Sequence, residues 1–286
     1  MPARRLLPAP VLRLIAAAAL ALPAAAQAAA PVSEIVIDAG SGRVLDTAAA
    51  DRVRPPASLT KLMTLLLAFE ALDRGTLRAG EQLRMSRHAA AQAPSKLGLA
   101  PGRRMGLQEA MRSVAVISAN DVAVMLAERI AGSEPRFVAQ MNRRARQLGM
   151  AHTRFANATG LAPAGGMTTA RDMATLARYI VRSHPARYRL FATRSIRWRG
   201  QTRPNHNRLL GTVRGVDGMK TGYTVPAGYN LVASAVRRGR RMVVVVLGAR
   251  TAPARDVRVA NLIELGFSAP AKAAPTPARA RARRRR

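Results

Sequence analysis

From Leu59 to Leu72 the chain reads LTKLMTLLLAFEAL, with so few polar interruptions that apolar side chains fall on every face of a 3.6-residue period. Such a segment predicts a helix buried all round, stopped by Gly75. Other stretches keep a helical period: LQEAMRSVAVIS from 107, NDVAVMLAERIAG from 120, EPRFVAQMNRRARQLGM from 134 and ARDMATLARYIVRSH from 170. Ser133 and Thr169 stand directly before the last two of these, as N-caps. Near the beginning, EIVIDAGSGRVL reads as two short strands around a Gly-Ser-Gly turn. Near the end, GYNLVASAV and RMVVVVLGA flank Arg237 to Arg241 as a second hairpin, and TAPARDVRVANLIELGF returns to helical spacing. Strands at both ends with helices between predict one antiparallel sheet, assembled from both termini and covered by helices.

The two ends carry different signals. MPARRLLPAPVLRL has three arginines and no acid, LIAAAALALPAAA is a short apolar core, and Ala26-Gln27-Ala28 offers small residues for a cut after Ala28. These features in order read as a secretory signal peptide over 1–28. An uncleaved membrane anchor is the alternative, but the apolar run is short of the ~20 residues that cross a bilayer. Residues 269–286, APAKAAPTPARARARRRR, mix Pro, Ala and cations with nothing to bury and read as a disordered tail.

Among 286 residues there is no cysteine, which excludes disulfides and thiolate chemistry. The four histidines are far apart, so no metal site is expected, and no cofactor either. Net charge is +32, which draws the chain toward polyanions. For an exported protein those are anionic lipids and wall polymers; a nucleic-acid partner is not expected, because the aromatic residues that stack bases are scarce. The tail reads as a solvated end, its functional alternative being weak contact with anionic membrane or wall polymer.

Only four of the 47 cationic side chains are lysines, and one of them, Lys61, follows Ser58 by three residues where the buried helix begins. Side chains at i and i+3 share a helix face. A serine hydroxyl needs a neighbouring base to attack a carbonyl, and lysine serves only when discharged. Burial and a second cation discharge lysine, whereas arginine stays protonated under the same pressure. Alone the pair is weak evidence, since a helix N-cap serine followed by a surface lysine looks the same. Two further patterns change that: Ser118-Ala119-Asn120 lies 60 residues beyond Ser58, and Lys220-Thr221-Gly222 begins 102 residues beyond Ser118. Each of the three motifs occurs once, in the order found in penicillin-binding proteins and serine β-lactamases.

Beyond the motifs, PASLTKLMT, PSKLGLAPG, SANDVAVMLAE, HTRFANATGLAPAGGMTTARDMATLARYI, NHNRLLGTVRGVDGMKTGYT and AGYNLVASA resemble the D-alanyl-D-alanine carboxypeptidases, the low-molecular-mass penicillin-binding proteins. The resemblance covers most of residues 33 to 266. It implies an α+β fold of the β-lactamase/DD-peptidase kind, an antiparallel sheet flanked by helices plus an all-helical lobe, with a catalytic domain over 29–268 and the cleft between sheet and lobe. It also implies roles. Ser58 attacks the carbonyl between two D-alanines of a peptidoglycan stem peptide, Lys61 takes its proton, and Ser118 passes a proton to the leaving amine. Asn120 holds a substrate amide through its own donor and acceptor. Lys220 is a fixed cation for the terminal carboxylate, and Thr221 adds a hydroxyl. Gly222 lets the substrate backbone lie against the strand, and the Ser58 and Tyr223 amides form an oxyanion hole. β-Lactam antibiotics are then expected as covalent inhibitors. Lys96, His152, Asn157, Gly160 and Asp217 are expected to shape structure and not to react. A D,D-endopeptidase acting on cross-links shares the motifs and remains open, favoured by the short stretch after Ser268. A β-lactamase is disfavoured by the missing E-x-x-L-N loop between Asn120 and Lys220, and a non-catalytic basic wall-binding protein by the three intact motifs.

Overall fold

A computed structural model of the protein describes residues 32–161 and 165–270. The expected signal peptide over 1–28 lies outside the described residues, as does the tail beyond Pro270.

In chain order the elements are β1 (Ser33–Asp38), β2 (Val44–Ala48), α1 (Lys61–Asp73), β3 (Gln82–Arg84), α2 (Arg87–Ala90), β4 (Arg104–Gly106), α3 (Leu107–Val116), α4 (Asn120–Ala131) and α5 (Glu134–Gln147). They continue with α6 (Ala170–Ser183), α7 (Pro185–Tyr188), β5 (Ser195–Trp198), β6 (Gln201–Pro204), β7 (Val216–Thr224), β8 (Gly228–Arg237), β9 (Arg240–Ala249) and α8 (Ala252–Ser268). The five-stranded sheet has the order β2-β1-β9-β8-β7, with every neighbouring pair antiparallel. The fold is α+β, as expected, and the sheet draws its strands from both ends of the chain.

Strand β9 shows why the sheet sits where it does. Its run of valines is apolar on both faces because both faces are covered. Val243, Val245 and Leu247 join a core built with α1, while Val244 and Val246 join a second core with Val259, Leu262 and Ile263 of α8. The β8–β9 hairpin turns on Arg238 and Gly239, both at positive φ (49° and 75°), the backbone a tight two-residue hairpin requires.

Helix α1 is the centre of the molecule. It packs against α3, α4, α5 and α6, and Lys61 through Phe69 are all buried. Ser133 and Thr169 cap α5 and α6 by accepting from Arg136 N and Asp172 N, as their positions predict. Two small antiparallel pairs were not legible in the pattern: β3 with β4, and the β5–β6 hairpin. Their strands are three or four residues long and rich in arginine, so no period stands out.

Because α1 is enclosed on every side, truncating Leu66 to Ala should cost about 2 to 5 kcal/mol. Val257→Ala, at a position that is 60% exposed on α8, should change stability by no more than about 0.5 kcal/mol. Urea unfolding of the two variants checks the contrast; equal midpoints would refute it.

Candidate active site

The chain enters α1 through a 3-10 turn, Ala57–Thr60. This is tighter than the α-helical first turn expected from the pattern, and at three residues per turn the side chains at i and i+3 eclipse. Lys61 Nζ consequently lies 2.9 Å from Ser58 Oγ. The same nitrogen donates to the Thr159 carbonyl at 2.6 Å. Lys61 is fully buried. Loss of solvent, and secondarily the charge of Lys220, hold its pKa well below the ordinary lysine range. A neutral amine has two N–H groups and one lone pair. With one N–H given to Thr159, the lone pair can take the Ser58 proton.

The carbonyl of Thr159 carries no side-chain signal, and sequence reasoning missed it. It is placed by a loop that Asn157 folds: Asn157 Oδ1 accepts from Thr159 N at 3.1 Å and Gly160 N at 2.6 Å. Thr64 Oγ1, one turn along α1 from Lys61, donates to the Ala158 carbonyl at 2.8 Å and ties loop to helix. Gly160 sits at φ +80°, and a Cβ there would stand 1.8 Å from the Ala57 carbonyl oxygen. Asn157 and Gly160 shape the loop, as expected, but that loop holds the lysine.

Strand β7 closes the opposite side and forms one edge of the sheet. Lys220 is 1% exposed and donates to the Thr221 carbonyl at 3.0 Å. Burial, followed by the charge of Arg255 on α8, lowers its pKa to about 7. The expectation of a fixed cation therefore needs amending: in the free enzyme this ammonium is only partly charged at neutral pH. After burial, the charge of Lys220 is the second cause that lowers the Lys61 pKa. Gly222 lies against the 3-10 turn, where a Cβ would come within 3.2 Å of the Ser58 amide nitrogen. From β8, Asn230 donates to the Pro55 and Pro56 carbonyls, both at 3.3 Å, and fixes the segment leading into Ser58. Thr221 is buried, whereas the Tyr223 side chain is half exposed and stacks on Tyr229 at 4.3 Å between ring centres.

Ser118 and Asn120 occupy the turn between α3 and α4, two helices that pack on α1. Ser118 has φ +62°, in a region that non-glycine residues rarely adopt. Its Oγ and Asn120 Oδ1 are buried with no partner among the described residues. Asn120 Nδ2 gives one of its two N–H groups to the Ala93 carbonyl at 2.9 Å. The second N–H and the Oδ1 acceptor are the groups with which the expected two-sided grip on an amide would be made. His206, which the sequence did not single out, is depressed to about 4 by burial and by Lys220, Lys61 and Arg255. It is neutral at physiological pH. Lys96 Nζ donates to the Ala90 carbonyl, away from Ser58, and Asp217 pairs with Tyr188 and Arg241 behind β7. Among the described residues, no group of three or more His, Asp or Glu is placed to hold a metal.

Comparison with known proteins identifies the family. The sequence profile of a family described as D-alanyl-D-alanine carboxypeptidase matches residues 20–251. The D-alanyl-D-alanine carboxypeptidase DacF of Bacillus subtilis is 38% identical over 241 residues, covering 82% of this chain and 62% of its own. The chain thus spans less than two thirds of the length of that relative. Among solved structures, the D-alanyl-D-alanine carboxypeptidase DacD of Francisella tularensis superposes with a TM-score of 0.81 at 30% identity, over 82% of this chain and 70% of that one. A penicillin-binding protein of Listeria monocytogenes in its ampicillin-bound form gives 0.71 at 33% identity, over 82% and 96%.

The loop that holds Lys61 has no room at Gly160. Gly160→Ala should lower stability by about 3 kcal/mol or more, combining a positive φ with a backbone clash. A thermal melt within one degree of the wild type would contradict this.

Proposed function

The chain belongs to the D-alanyl-D-alanine carboxypeptidase family, and from that membership we propose that it is a serine-type D-Ala-D-Ala carboxypeptidase of peptidoglycan stem pentapeptides. The observation that carries the reading is the 2.9 Å contact between Ser58 Oγ and the buried Lys61 amine, whose pKa burial holds well below the ordinary lysine range. A nucleophile one hydrogen bond from its base is the minimum that acyl transfer requires.

In this mechanism the stem peptide lies along the edge of β7 as an added strand, while the missing side chain of Gly222 makes room for the 3-10 turn that carries Ser58. The terminal carboxylate is gripped by Lys220 and the Thr221 hydroxyl. An incoming negative charge favours protonated Lys220, so binding a carboxylate offsets the loss of charge that burial causes. Ser58 Oγ attacks the penultimate carbonyl while its proton moves to Lys61 Nζ. The developing oxyanion is held by the amides of Ser58 and Tyr223, each such donor contributing about 3 to 4 kcal/mol in comparable sites. Asn120 Oδ1 accepts from a substrate amide. Ser118 relays a proton to the departing D-alanine nitrogen as the C–N bond breaks, leaving an acyl-enzyme on Ser58. Water then cleaves the ester, with Lys61 taking its proton. A β-lactam enters by the same attack, but its ring-opened leaving group stays attached and the acyl-enzyme persists. Such substrates lie outside the cytoplasmic membrane, in keeping with the signal-like first 28 residues. The excess of cations supports weak attraction to anionic lipid or wall polymer there.

A fluorescent penicillin should label the wild type and leave Ser58→Ala unlabelled; absence of label from both would remove the proposal. Purified muropeptides then define the reaction. Pentapeptide monomers should lose one alanine, whereas cross-linked dimers falling to monomers with pentapeptides untouched would make the protein a D,D-endopeptidase.

The two lysines predict the pH dependence. Activity rises with pH as Lys61 deprotonates, through a pKa below the usual lysine range. For kcat/KM it then falls as Lys220 loses its proton near pH 7 in the free enzyme. In kcat the falling limb moves to higher pH, because bound carboxylate holds the Lys220 proton. Steady-state rates with an acyl-D-Ala-D-Ala peptide from pH 5 to 10 test this. Superimposable limbs in kcat and kcat/KM would contradict the role given to Lys220.

A further inference from the structure

Asp121, next to Asn120 in the first turn of α4, is fully buried, and no salt bridge to it exists among the described residues. Backbone amides satisfy its carboxylate instead. Oδ1 accepts from Leu97 N at 3.1 Å and Val122 N at 2.9 Å, and Oδ2 accepts from Gly98 N at 2.9 Å. Bonds from N–H groups to a carboxylate are stronger than neutral ones, and a dry interior strengthens them further. The segment they hold is the one that grips Asn120: the Ser95 carbonyl accepts from Asn120 N at 2.7 Å and the Ala93 carbonyl from Asn120 Nδ2 at 2.9 Å.

The outer side of this segment is clamped by the β5–β6 hairpin. Trp198 Nε1 donates to the Leu97 carbonyl at 3.1 Å, Arg199 to the Gly98 carbonyl at 3.0 Å and Arg203 to the Lys96 carbonyl at 3.2 Å. Leu97 and Gly98 are therefore each pinned from both sides, by their N–H to Asp121 and by their C=O to the hairpin. Gly98, at φ +73°, supplies the backbone bend that lets both amides reach one carboxylate. Among the described residues, Asn120 Oδ1 is the one buried side-chain polar atom of this network without a partner.

We propose that Asp121 is the positioning residue of the site, and that with the β5–β6 hairpin as outer clamp it fixes residues 93–98 and thereby the direction of the Asn120 acceptor. The inference rests on the acyl-transfer reading above. A free asparagine side chain would rotate about two torsions; held at Nδ2 it presents Oδ1 in one direction, and a substrate N–H meets it without an ordering cost. Replacing one carboxylate oxygen by an NH2 group would set a donor against a backbone N–H and release the segment.

The test is the second-order rate of acylation by a fluorescent penicillin for Asp121→Asn, Trp198→Phe and Asn120→Ala, and for each of the first two combined with Asn120→Ala. Asp121→Asn should acylate about 10- to 100-fold more slowly, the scale on which small misplacements act, and Trp198→Phe should be slowed less. In the Asn120→Ala background neither should cost more than a further twofold, because the group they position is gone. A merely structural role would multiply the losses. Rates within twofold of wild type for both single variants, or multiplicative losses in the double variants, would overturn the inference. If Asp121→Asn does not fold, Trp198→Phe decides by the same criterion. An unlabelled wild type would remove the acyl-transfer reading itself, whereas a labelled wild type with unchanged variants would remove only this inference.

Discussion

One amine nitrogen organises the site: Lys61 Nζ, set between the Ser58 hydroxyl and the Thr159 carbonyl at the head of a helix whose other side chains are mostly apolar. It is buried, and burial disfavours its charged form. The long apolar run of α1 thus has a chemical consequence beyond stability. It makes a dry niche in which an amine can act as a base, a state no guanidinium would adopt. The rarity of lysine in an otherwise arginine-dominated chain fits this requirement.

Three separate parts of the chain converge on that nitrogen. The 3-10 turn aligns Ser58 with it, the 156–161 loop supplies its carbonyl partner, and β7 brings up Lys220. Each is tied to the others by bonds with no chemical role of their own: Thr64 to Ala158, Asn230 to Pro55 and Pro56, and Gly222 against the Ser58 amide. Burial and neighbouring charge lower both lysines, Lys220 to about 7 and Lys61 well below the ordinary lysine range. Two full ammonium charges in one dry place are thereby disfavoured, and an arriving carboxylate favours the charge on Lys220.

Much of this was legible in the sequence. Period and capping residues placed α1, α5 and α6, and valine-rich strands beside a Gly-containing turn placed β8 and β9. Spacing alone put Ser58 and Lys61 on one face, and burial with a second nearby cation was the expected way to depress the lysine; the structure identifies that cation as Lys220. What escaped has a common cause. Thr159 acts through its carbonyl, Ala93 and Ser95 likewise, and a backbone oxygen is the same in every residue. The β5–β6 hairpin was invisible because SIRWRGQTRP alternates arginine with mixed residues and offers no apolar period. Asn120 was identified by its motif, but that one of its two N–H groups is held by the Ala93 carbonyl depends on where residue 93 falls in space. The charge state of Lys220 depends on burial and on Arg255, 35 residues further along the chain.

The claim on which the account stands is the protonation state of Lys61, and the scarcity of lysine makes it directly observable. With lysine labelled by carbon-13 at Cε, NMR spectra should contain four signals, at 61, 96, 220 and 272, assignable by single Lys→Arg substitutions. The account predicts that at neutral pH the Lys61 signal already has the shift of an uncharged amine and titrates well below the lysine range. A Lys61 signal that titrates near the ordinary value of about 10.4 would contradict it.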